Sequence, residues 1–242
     1  MLLPLPLTIA LGLCTLFVAH RRARGSSAEP AIASAPPPRL VRFTAFMGPQ
    51  RASDILYGTA LRSPQMEAST VTGDVADYRR SRLLWRGEDV APDVTARVRA
   101  MAPDLARMLG IAPFSVGEVE TQVTVSGPGD YFKRHDDNGS PETAARRLSW
   151  VYYVHSDPKP FTGGELVMYG ARGPDGQPGA YVIEPENDSL VVFPSECLHE
   201  VRAVHPRDLR SLEESAGNPL NSRVTVNGWV REQANGNGAM SG

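Results

Sequence analysis

The stretch RRLSWVYYVH (residues 146–155) is short and rich in aromatic and β-branched side chains, a composition typical of a β-strand. Gly, Pro, Asp and Asn separate it from six stretches of the same kind, which are GEVETQVTVS (117–126), GGELVMYG (163–170), GAYVIEP (179–185), SLVVFP (189–194), HEVRAV (199–204) and SRVTVNGWV (222–230). Many short strands with no helix between them predict an antiparallel sandwich or barrel. GARGPDGQPG (170–179) has the composition of a hairpin connection between two of them.

Two helices are predicted before these strands. Residues 51–62 suit a helix with Ser53 as its N-cap. Residues 92–110 contain apolar residues that share one face at helical spacing, namely Val94, Val98, Met101, Leu105 and Met108. Pro103 should kink or split this second helix, and Gly110 suits its C-terminal cap. The predicted fold class is therefore α+β, with N-terminal helices followed by a jelly-roll-like core of roughly 130 residues.

Composition and charge exclude some classes of protein. The 242 residues are 41% hydrophobic and 21% charged, which is ordinary for a globular protein and enough for one sizeable domain. The net charge is −2, so the composition does not indicate the basic surface that nucleic-acid-binding proteins carry. The two cysteines are Cys14, in an apolar terminal run, and Cys197. A structural disulfide is therefore not expected, and a reducing compartment is.

The amino terminus has two interpretations. Residues 1–20 are apolar without a charged side chain, and three arginines follow directly, in HRRARG. The run is near the minimum length of a membrane span, and the positive-inside rule then places the rest of the chain in the cytoplasm. The alternative is an over-extended start. Residues 21–39, rich in Pro, Ala and Ser, predict a linker, with one domain over 40–234 and a flexible tail over 235–242.

A histidine stands beside two aspartates in YFKRHDDN (131–138). If this stretch is extended, His135 and Asp137 project from one face, because residues two apart in a strand share a face. His199, at the start of a later strand, can supply a third ligand. Two histidines and one carboxylate on one side of a metal form the facial triad of non-haem Fe(II) oxygenases. The H-x-D pattern by itself is weak, since such a match is more often a solvated loop.

Arg223 lies near the start of a predicted strand. A cation inside a barrel is costly to desolvate and needs an anionic partner. Guanidinium binds a planar carboxylate through two parallel hydrogen bonds. We therefore expect Arg223 to bind one carboxylate of a dicarboxylate whose other end chelates the metal. The alternative is an arginine at a strand edge that faces water.

From about Gly117 to Trp229 the sequence resembles the catalytic domain of the prolyl 4-hydroxylase-like, iron- and 2-oxoglutarate-dependent dioxygenases. The matching stretches are GPGDYFKRHDDN, RRLSWVYYVHSDPKPFTGGELVMYG, SLVVFPSECLHEV and SRVTVNGWV. The resemblance implies a double-stranded β-helix, a relative of the jelly-roll and cupin folds. It also implies that His135, Asp137 and His199 bind iron, and that Arg223 and Tyr153 bind the distal carboxylate of 2-oxoglutarate.

The sequence departs from the family pattern in two places. The connection between His199 and Arg223 is much longer than in relatives. Arg210 lies closer to the expected separation, but LRSLEE around it does not suit a strand, so Arg223 is preferred. Relatives also often carry a tyrosine shortly before the Gly-Asp turn, whereas VTVSGPGD (123–130) has none.

The function implied by the resemblance is hydroxylation of an unactivated C–H bond in a prolyl, other amino-acid, peptide or small-molecule substrate. The cofactors would be Fe(II), 2-oxoglutarate and O2, with ascorbate as a candidate reductant and succinate as a product. Asp137 favours hydroxylation over halogenation, because related halogenases lack that carboxylate. Two alternatives are a cupin-like zinc or manganese protein and a scaffold with an inactive site. DYRRSRLLW (77–85) predicts a solvated basic segment whose arginines are candidates to contact an anionic substrate.

Overall fold

The structure is a computed structural model, and it describes residues 39–69, 78–172, 178–208 and 218–234. The expected apolar segment 1–20, the tail 235–242 and nearly all of the linker 21–39 lie outside these residues. Residues 209–217 of the long connection before Arg223, which include Arg210, also lie outside them. Within the described ranges, no helix combines the length and the hydrophobicity that crossing a membrane requires.

Short strands and two helices make up the described part of the chain. The helices are α1 (Pro49–Leu61) and α2 (Pro92–Met108). Single turns of 3-10 helix occur at Ser63–Gln65, Gly87–Asp89 and Pro219–Asn221. The strands are β1 (Val41–Phe43), β2 (Glu67–Ala68), β3 (Arg79–Arg80), β4 (Arg82–Leu84), β5 (Val116–Ser126), β6 (Tyr131–His135), β7 (Arg146–Val154), β8 (Phe161–Gly163), β9 (Leu166–Arg172), β10 (Pro178–Ile183), β11 (Ser189–Pro194), β12 (His199–Val201), β13 (Val204–Pro206) and β14 (Arg223–Glu232).

The strands form two main antiparallel sheets. The larger sheet has the order β1-β11-β7-β14-β5-β4-β2, and the smaller has the order β10-β9-β12-β6-β3. Strands β13 and β8 form a separate pair. The predicted hairpin is present as the antiparallel pair of β9 and β10, and the middle of its connection lies outside the described residues. The predicted β-rich core is thus confirmed, while the helices fit the predicted order loosely, because β1 precedes α1 and β2–β4 separate α1 from α2.

Both helices pack on one face of the larger sheet. Val98 and Leu105 of α2 are fully buried in a cluster that also contains Trp150 of β7. Met108, expected on the same face of α2, is 45% exposed, and Ala106 is buried in that region instead. Because side chains alternate across a strand, the other residues of β7 face the smaller sheet. The larger sheet therefore has one face for the helices and one for the space between the sheets.

The ends of the helices correct two details of the sequence prediction. Helix α1 begins at Pro49, where a missing N–H costs no hydrogen bond, and no side chain caps it. Ser53 lies inside the helix, so its prediction as N-cap was wrong. Helix α2 continues through Pro103 as one element instead of splitting. Gly110 adopts a φ of 64° and donates its N–H to the Arg107 carbonyl, which confirms it as the C-terminal cap.

An apolar cluster joins the two sheets on their inner faces. Its members come from β7 and β11 of the larger sheet and from β9 and β10 of the smaller one, and they are Tyr153, Leu166, Met168, Ile183, Val191 and Phe193. All of them are buried. Polar and charged residues line the rest of the space between the sheets, and this space contains the candidate site.

Candidate active site

Two histidines face each other across neighbouring strands of the smaller sheet. His135 is the last residue of β6, and His199 is the first residue of β12. The antiparallel register pairs His199 directly with His135, and their ring centroids lie 4.1 Å apart. The structure thus brings together two predicted ligands that are distant in the chain.

Asp137 completes the group just beyond the end of β6. Its backbone N–H donates to the carbonyl of Ser195 at 2.9 Å, and its carboxylate accepts a 2.6 Å hydrogen bond from the Ser149 hydroxyl. Its Oδ1 lies 3.6 Å from Nε2 of His135, and its Oδ2 lies 3.5 Å from Nε2 of His199. One ligand atom from each of the three residues lies within 4.8 Å of the others. The sequence analysis expected an extended chain as far as Asp137, whereas the strand ends at His135 and Asp137 lies in a bend.

The hydrogen bonds of the imidazoles leave the inner nitrogens free to bind a metal. Nδ1 of His135 lies 2.7 Å from the Lys133 carbonyl, and Nδ1 of His199 lies 2.9 Å from the Cys197 carbonyl. A carbonyl only accepts, so each Nδ1 carries the proton and each Nε2 offers a lone pair. This is the usual arrangement around a histidine that binds a metal.

The electrostatic environment favours the protonation states of His135 and Asp137 that metal binding requires. Burial, together with the nearby His199, lowers the pKa of His135 from 6.5 to about 3, so this imidazole is neutral at physiological pH. Burial alone would raise the pKa of the Asp137 carboxyl, but His199, His135 and the Ser149 hydroxyl together lower it below its ordinary value. Two imidazoles and one carboxylate fit the facial donor set of Fe(II), and zinc accepts the same set.

One cavity connects this group to Arg223. Its empty volume is ≈ 630 Å³, part of it open to solvent, and residues of both sheets line it. Arg223 faces Ser126 across β14 and β5, and the next inward pairs along these strands are Thr225 with Thr124 and Asn227 with Gln122. All six of these residues line the cavity. A polar floor therefore connects the Arg223 end of the cavity to the metal-ligand end.

Arg223 is a buried cation that forms no ion pair in the described part of the chain, although the more distant Glu165 favours its charge. It is 3% exposed, and its Nε donates to the Gly164 carbonyl at 2.8 Å. Burial lowers its pKa. Tyr153 lies beside it, with the guanidinium carbon 5.1 Å from the ring centroid. The Tyr153 hydroxyl is buried and has no hydrogen-bond partner of good geometry among the described residues, and burial raises its pKa while the Arg223 charge opposes that rise.

The sequence analysis named the arginines of residues 77–85 as candidates to contact an anionic substrate but did not separate Arg79 from its neighbours. The sequence predicted a solvated basic segment at residues 77–85, which is wrong for Arg79, because this side chain lines the cavity. It is correct for Arg80, whose side chain is 69% exposed and pairs with Asp130 at 3.4 Å. Both belong to β3, where neighbouring side chains project to opposite faces. A strand of two residues has no alternating pattern of its own, so the sequence carries no signal that tells which of the two arginines faces the cavity.

The similarity of this chain to known proteins agrees with this geometry. Residues 121–231 match the sequence profile of the 2OG-Fe(II) oxygenase superfamily. An uncharacterized PKHD-type hydroxylase from Synechocystis sp. is 33% identical over 196 residues, which cover 78% of this chain and 62% of that protein. The chain thus matches somewhat less than two thirds of the length of this relative.

Two solved structures share the fold. A prolyl hydroxylase from Trichoplax adhaerens, in complex with a peptide fragment of the hypoxia inducible factor oxygen degradation domain, has a TM-score of 0.60 at 18% identity, covering 80% of this chain and 84% of that one. A Pseudomonas putida prolyl-4-hydroxylase has a TM-score of 0.58 at 20% identity, covering 81% of this chain and 94% of that one. These similarities confirm the predicted double-stranded β-helix. The matched segment 121–231 includes His135, Asp137, His199 and Arg223, so the candidate site lies within the part of the chain that is similar to the 2OG-Fe(II) oxygenase superfamily.

Proposed function

We propose that this chain is an Fe(II)- and 2-oxoglutarate-dependent dioxygenase that hydroxylates an unactivated C–H bond. One observation supports the proposal most directly: a single cavity is lined by the His135, Asp137 and His199 group and by Arg223. No carboxylate of the described residues lies at ion-pair distance from Arg223, which is 3% exposed. A dicarboxylate that chelates the metal at one end would supply that missing anion at the other.

The roles of the metal-site residues follow from their hydrogen bonds. His135 and His199 would bind the metal through Nε2, because each Nδ1 is held by a backbone carbonyl. Asp137 would bind through its carboxylate, which the Ser149 hydroxyl orients. Bound Fe(II) would supply the redox chemistry in which 2-oxoglutarate, O2 and the substrate C–H group give succinate, CO2 and the hydroxylated product.

Arg223 and Tyr153 would bind the distal carboxylate of 2-oxoglutarate. The Gly164 carbonyl fixes the Nε of Arg223, which leaves the terminal N–H groups of the guanidinium to bind a ligand. The Tyr153 hydroxyl is buried beside Arg223 and lacks a hydrogen-bond partner of good geometry among the described residues, so a carboxylate oxygen would satisfy it. Both side chains lie inside the fold, where exclusion of water strengthens such contacts.

The experiment that tests this proposal is anaerobic loading of the full chain with Fe(II) and then with 2-oxoglutarate. We expect a visible metal-to-ligand charge-transfer band, which reports chelation of iron by the keto acid. Asp137→Ala should abolish the band. Asp136→Ala is the matched control, since Asp136 neighbours Asp137 in sequence but lies outside the three-residue group, and it should retain the band.

The opposite result would favour a different function. If the chain binds iron but gives no band with 2-oxoglutarate, the oxygenase proposal is wrong and a cupin-like metal protein without oxygenase activity takes its place. Admission of air provides the second readout. We expect succinate to form from 2-oxoglutarate in the unaltered chain and in Asp136→Ala, and not in Asp137→Ala.

We infer three further features. The substrate is proposed to be a prolyl or other amino-acid residue, free or in a peptide, because the similar proteins are prolyl and PKHD-type hydroxylases. Ascorbate is proposed as the reductant, and its omission should lower the number of turnovers.

The domain is proposed to work in the cytoplasm, because Cys197 is a free thiol and free thiols are typical of a reducing compartment. Residues 1–20 are a candidate membrane anchor. Cell fractionation of the full chain tests the last feature.

A further inference from the structure

Arg79 lies in the active-site cavity, but the proposed binding of metal and 2-oxoglutarate gives it no role. Its guanidinium carbon lies 4.7 Å from the ring centroid of Phe132. Phe132 in turn stacks on the imidazole of His135, with the ring centroids 3.5 Å apart. One aromatic ring therefore links Arg79 to a candidate metal ligand. A group bound to Arg79 would lie close to the place where the oxidised C–H bond must be.

The charge of Arg79 has no protein counterion at ion-pair distance in the described part of the chain. Its side chain makes one hydrogen bond to the protein there, from Nε to the Ser81 hydroxyl at 3.2 Å. Burial lowers its pKa to about 10, and among the described residues the only acidic one that opposes this shift is Asp137. Asp137 is also the candidate carboxylate ligand of the metal. A desolvated cation without an anion is costly to the folded protein, and a ligand that supplies the anion removes this cost.

The formal charges in the cavity indicate the sign of the missing ligand. The ionised residues that line it are Arg79, Asp137 and Arg223. A divalent metal and Arg223 together balance Asp137 and the 2-oxoglutarate dianion. Arg79 then remains as one uncompensated positive charge. A substrate with one negative charge near its reacting carbon would neutralise the cavity, whereas a neutral substrate would leave Arg79 unpaired.

We propose that Arg79 binds a carboxylate of the primary substrate, so that the enzyme acts on an amino acid or related compound that bears a free carboxylate. This assignment rests on the proposed dioxygenase function and adds the class of substrate to it. Guanidinium is suited to the role, because its planar N–H groups match the two oxygens of a carboxylate. The carboxylate has two sources, an α-carboxylate or an acidic side chain, which the test below distinguishes.

The chain itself offers a matched control for removal of this charge. Arg80 follows Arg79 on β3, but its side chain is 69% exposed and pairs with Asp130 at 3.4 Å. The substitutions Arg79→Gln and Arg80→Gln remove the same charge from adjacent positions. Only the first removes it from the cavity. Arg79→Lys keeps the charge and loses the planar fork.

The test is anaerobic calorimetric titration of the full chain loaded with Fe(II) and 2-oxoglutarate. The probes are N-acetyl-L-amino acids and their α-carboxamides, and the aspartate and glutamate carboxamides present a carboxylate only on the side chain. We expect the preferred acid to bind at least roughly tenfold more tightly than its uncharged carboxamide. Arg79→Gln should abolish this preference, Arg79→Lys should retain part of it, and Arg80→Gln should retain all of it. Tight binding of the aspartate or glutamate carboxamide would identify an acidic side chain as the source.

Several results would overturn the assignment of Arg79. It is wrong if uncharged carboxamides bind as tightly as acids, if no acid binds, or if Arg79→Gln keeps the preference. The charge-transfer band is recorded for every variant, because loss of the band in Arg79→Gln would assign Arg79 to the metal or to 2-oxoglutarate instead. If the band is absent from the unaltered chain, the dioxygenase proposal fails and the assignment of Arg79 fails with it. If the band is present without any preference for acids, only the assignment of Arg79 fails.

Discussion

His199 and His135 are direct cross-strand partners in the smaller sheet, with ring centroids 4.1 Å apart. Directly opposed residues of an antiparallel pair project from the same face of the sheet. A slip of one residue would turn one of the two imidazoles to the opposite face. The pairing register of β6 and β12 is thus what creates the two-histidine half of the candidate metal site.

The third ligand depends on a different contact, which a serine substitution tests. Ser149 on β7 donates a 2.6 Å hydrogen bond to Asp137, and its oxygen lies 3.0 Å from the Ser195 hydroxyl. Ser149→Ala removes the donor that orients the carboxylate and helps to keep it ionised. We expect the Fe(II) dissociation constant to rise roughly tenfold, as is typical when a residue that supports a metal ligand is lost. Anaerobic titration calorimetry measures it.

Ser156→Ala serves as the control for this prediction. The Ser156 hydroxyl donates to the Leu220 carbonyl at 2.9 Å, in a different part of the fold. This variant loses the same atom and should bind Fe(II) as the unaltered chain does. Equal Fe(II) affinity in Ser149→Ala would contradict a supporting role for Ser149.

Gly164 is the residue that makes room for Arg223. A Cβ at this position would lie 2.7 Å from Cδ of Arg223, and the backbone φ is 70°. Gly164→Ala should therefore displace Arg223 and raise the dissociation constant of 2-oxoglutarate at least about tenfold, with metal affinity retained. Titration of the charge-transfer band with 2-oxoglutarate measures this effect.

Gly110→Ala is the control for Gly164→Ala, because it introduces backbone strain without steric overlap. Gly110 has a similar φ of 64°, but no atom lies within 4 Å of its hypothetical Cβ. The substitution should lower the free energy of unfolding by about 1 kcal/mol, measured by urea denaturation, without a change in 2-oxoglutarate binding. A loss of 2-oxoglutarate affinity in both variants would point to general destabilisation instead of displacement of Arg223.

The sequence was sufficient to predict which three residues lie together at the candidate metal site, but not their support. The prediction used side-chain alternation, a local property, and it brought His135 and Asp137 together correctly although β6 ends at His135 and Asp137 lies in a bend. The partners of these ligands come from other strands, such as Ser149 on β7. Pairing between distant strands depends on the whole sheet, so a sequence without an alignment does not reveal it.

Arg79 illustrates the same limit at the scale of one strand. DYRRSRLLW contains like charges at positions 79, 80 and 82, and composition alone treats them alike. In the structure Arg79 lines the cavity, while Arg80 is largely exposed. Strand β3 has only two residues and pairs with β6, so the orientation of its side chains is set by that neighbour and not by a pattern of its own.

The ionised carboxylate of Glu120, which lies next to the site, is predicted to stabilise the folded state in a pH-dependent way. Arg146 and Arg231 both donate hydrogen bonds to this carboxylate, and Nη1 of Arg146 also donates to the Asp137 carbonyl at 3.3 Å. Burial alone would raise the pKa of Glu120, but the two arginines lower it below its ordinary value of 4.5. The stabilisation is therefore fully present above pH 4.5 and is lost as the pH falls through the lowered pKa of the folded state.

Glu120→Gln tests that dependence. The variant should melt at a lower temperature than the unaltered chain near neutral pH, because it leaves two arginines without their anion. The difference should shrink below pH 4.5, since the carboxylate of the unaltered chain becomes protonated there. Thermal unfolding recorded as a function of pH measures the gap, with Glu118→Gln, an exposed residue of the same strand, as the control. A gap that stays constant from neutral to acid pH would rule out this role for the Glu120 charge.

Arg223 and Tyr153 are predicted to differ in what they contribute to 2-oxoglutarate binding. Arg223→Met removes the cation, and loss of one partner of a buried charge pair costs about 2 kcal/mol or more, which is at least roughly thirtyfold in the dissociation constant. Tyr153→Phe removes one neutral hydrogen bond, worth about 0.5–1.5 kcal/mol, or roughly two- to tenfold. Fe(II) affinity should be unchanged in both variants, and Arg207→Met, at an exposed arginine, should change neither constant.

Stability without ligand distinguishes a binding role for Arg223 from a structural one. In the ligand-free chain Arg223 is 3% exposed and its pKa is lowered by burial, so its charge is a cost to the folded state. Arg223→Met should therefore unfold at the same or a higher temperature than the unaltered chain when 2-oxoglutarate is absent. Addition of 2-oxoglutarate should raise the melting temperature of the unaltered chain only, because a ligand stabilises the protein that binds it. A large loss of stability in ligand-free Arg223→Met would instead mean that Arg223 holds the fold together through Gly164, and that its place in the cavity does not serve 2-oxoglutarate.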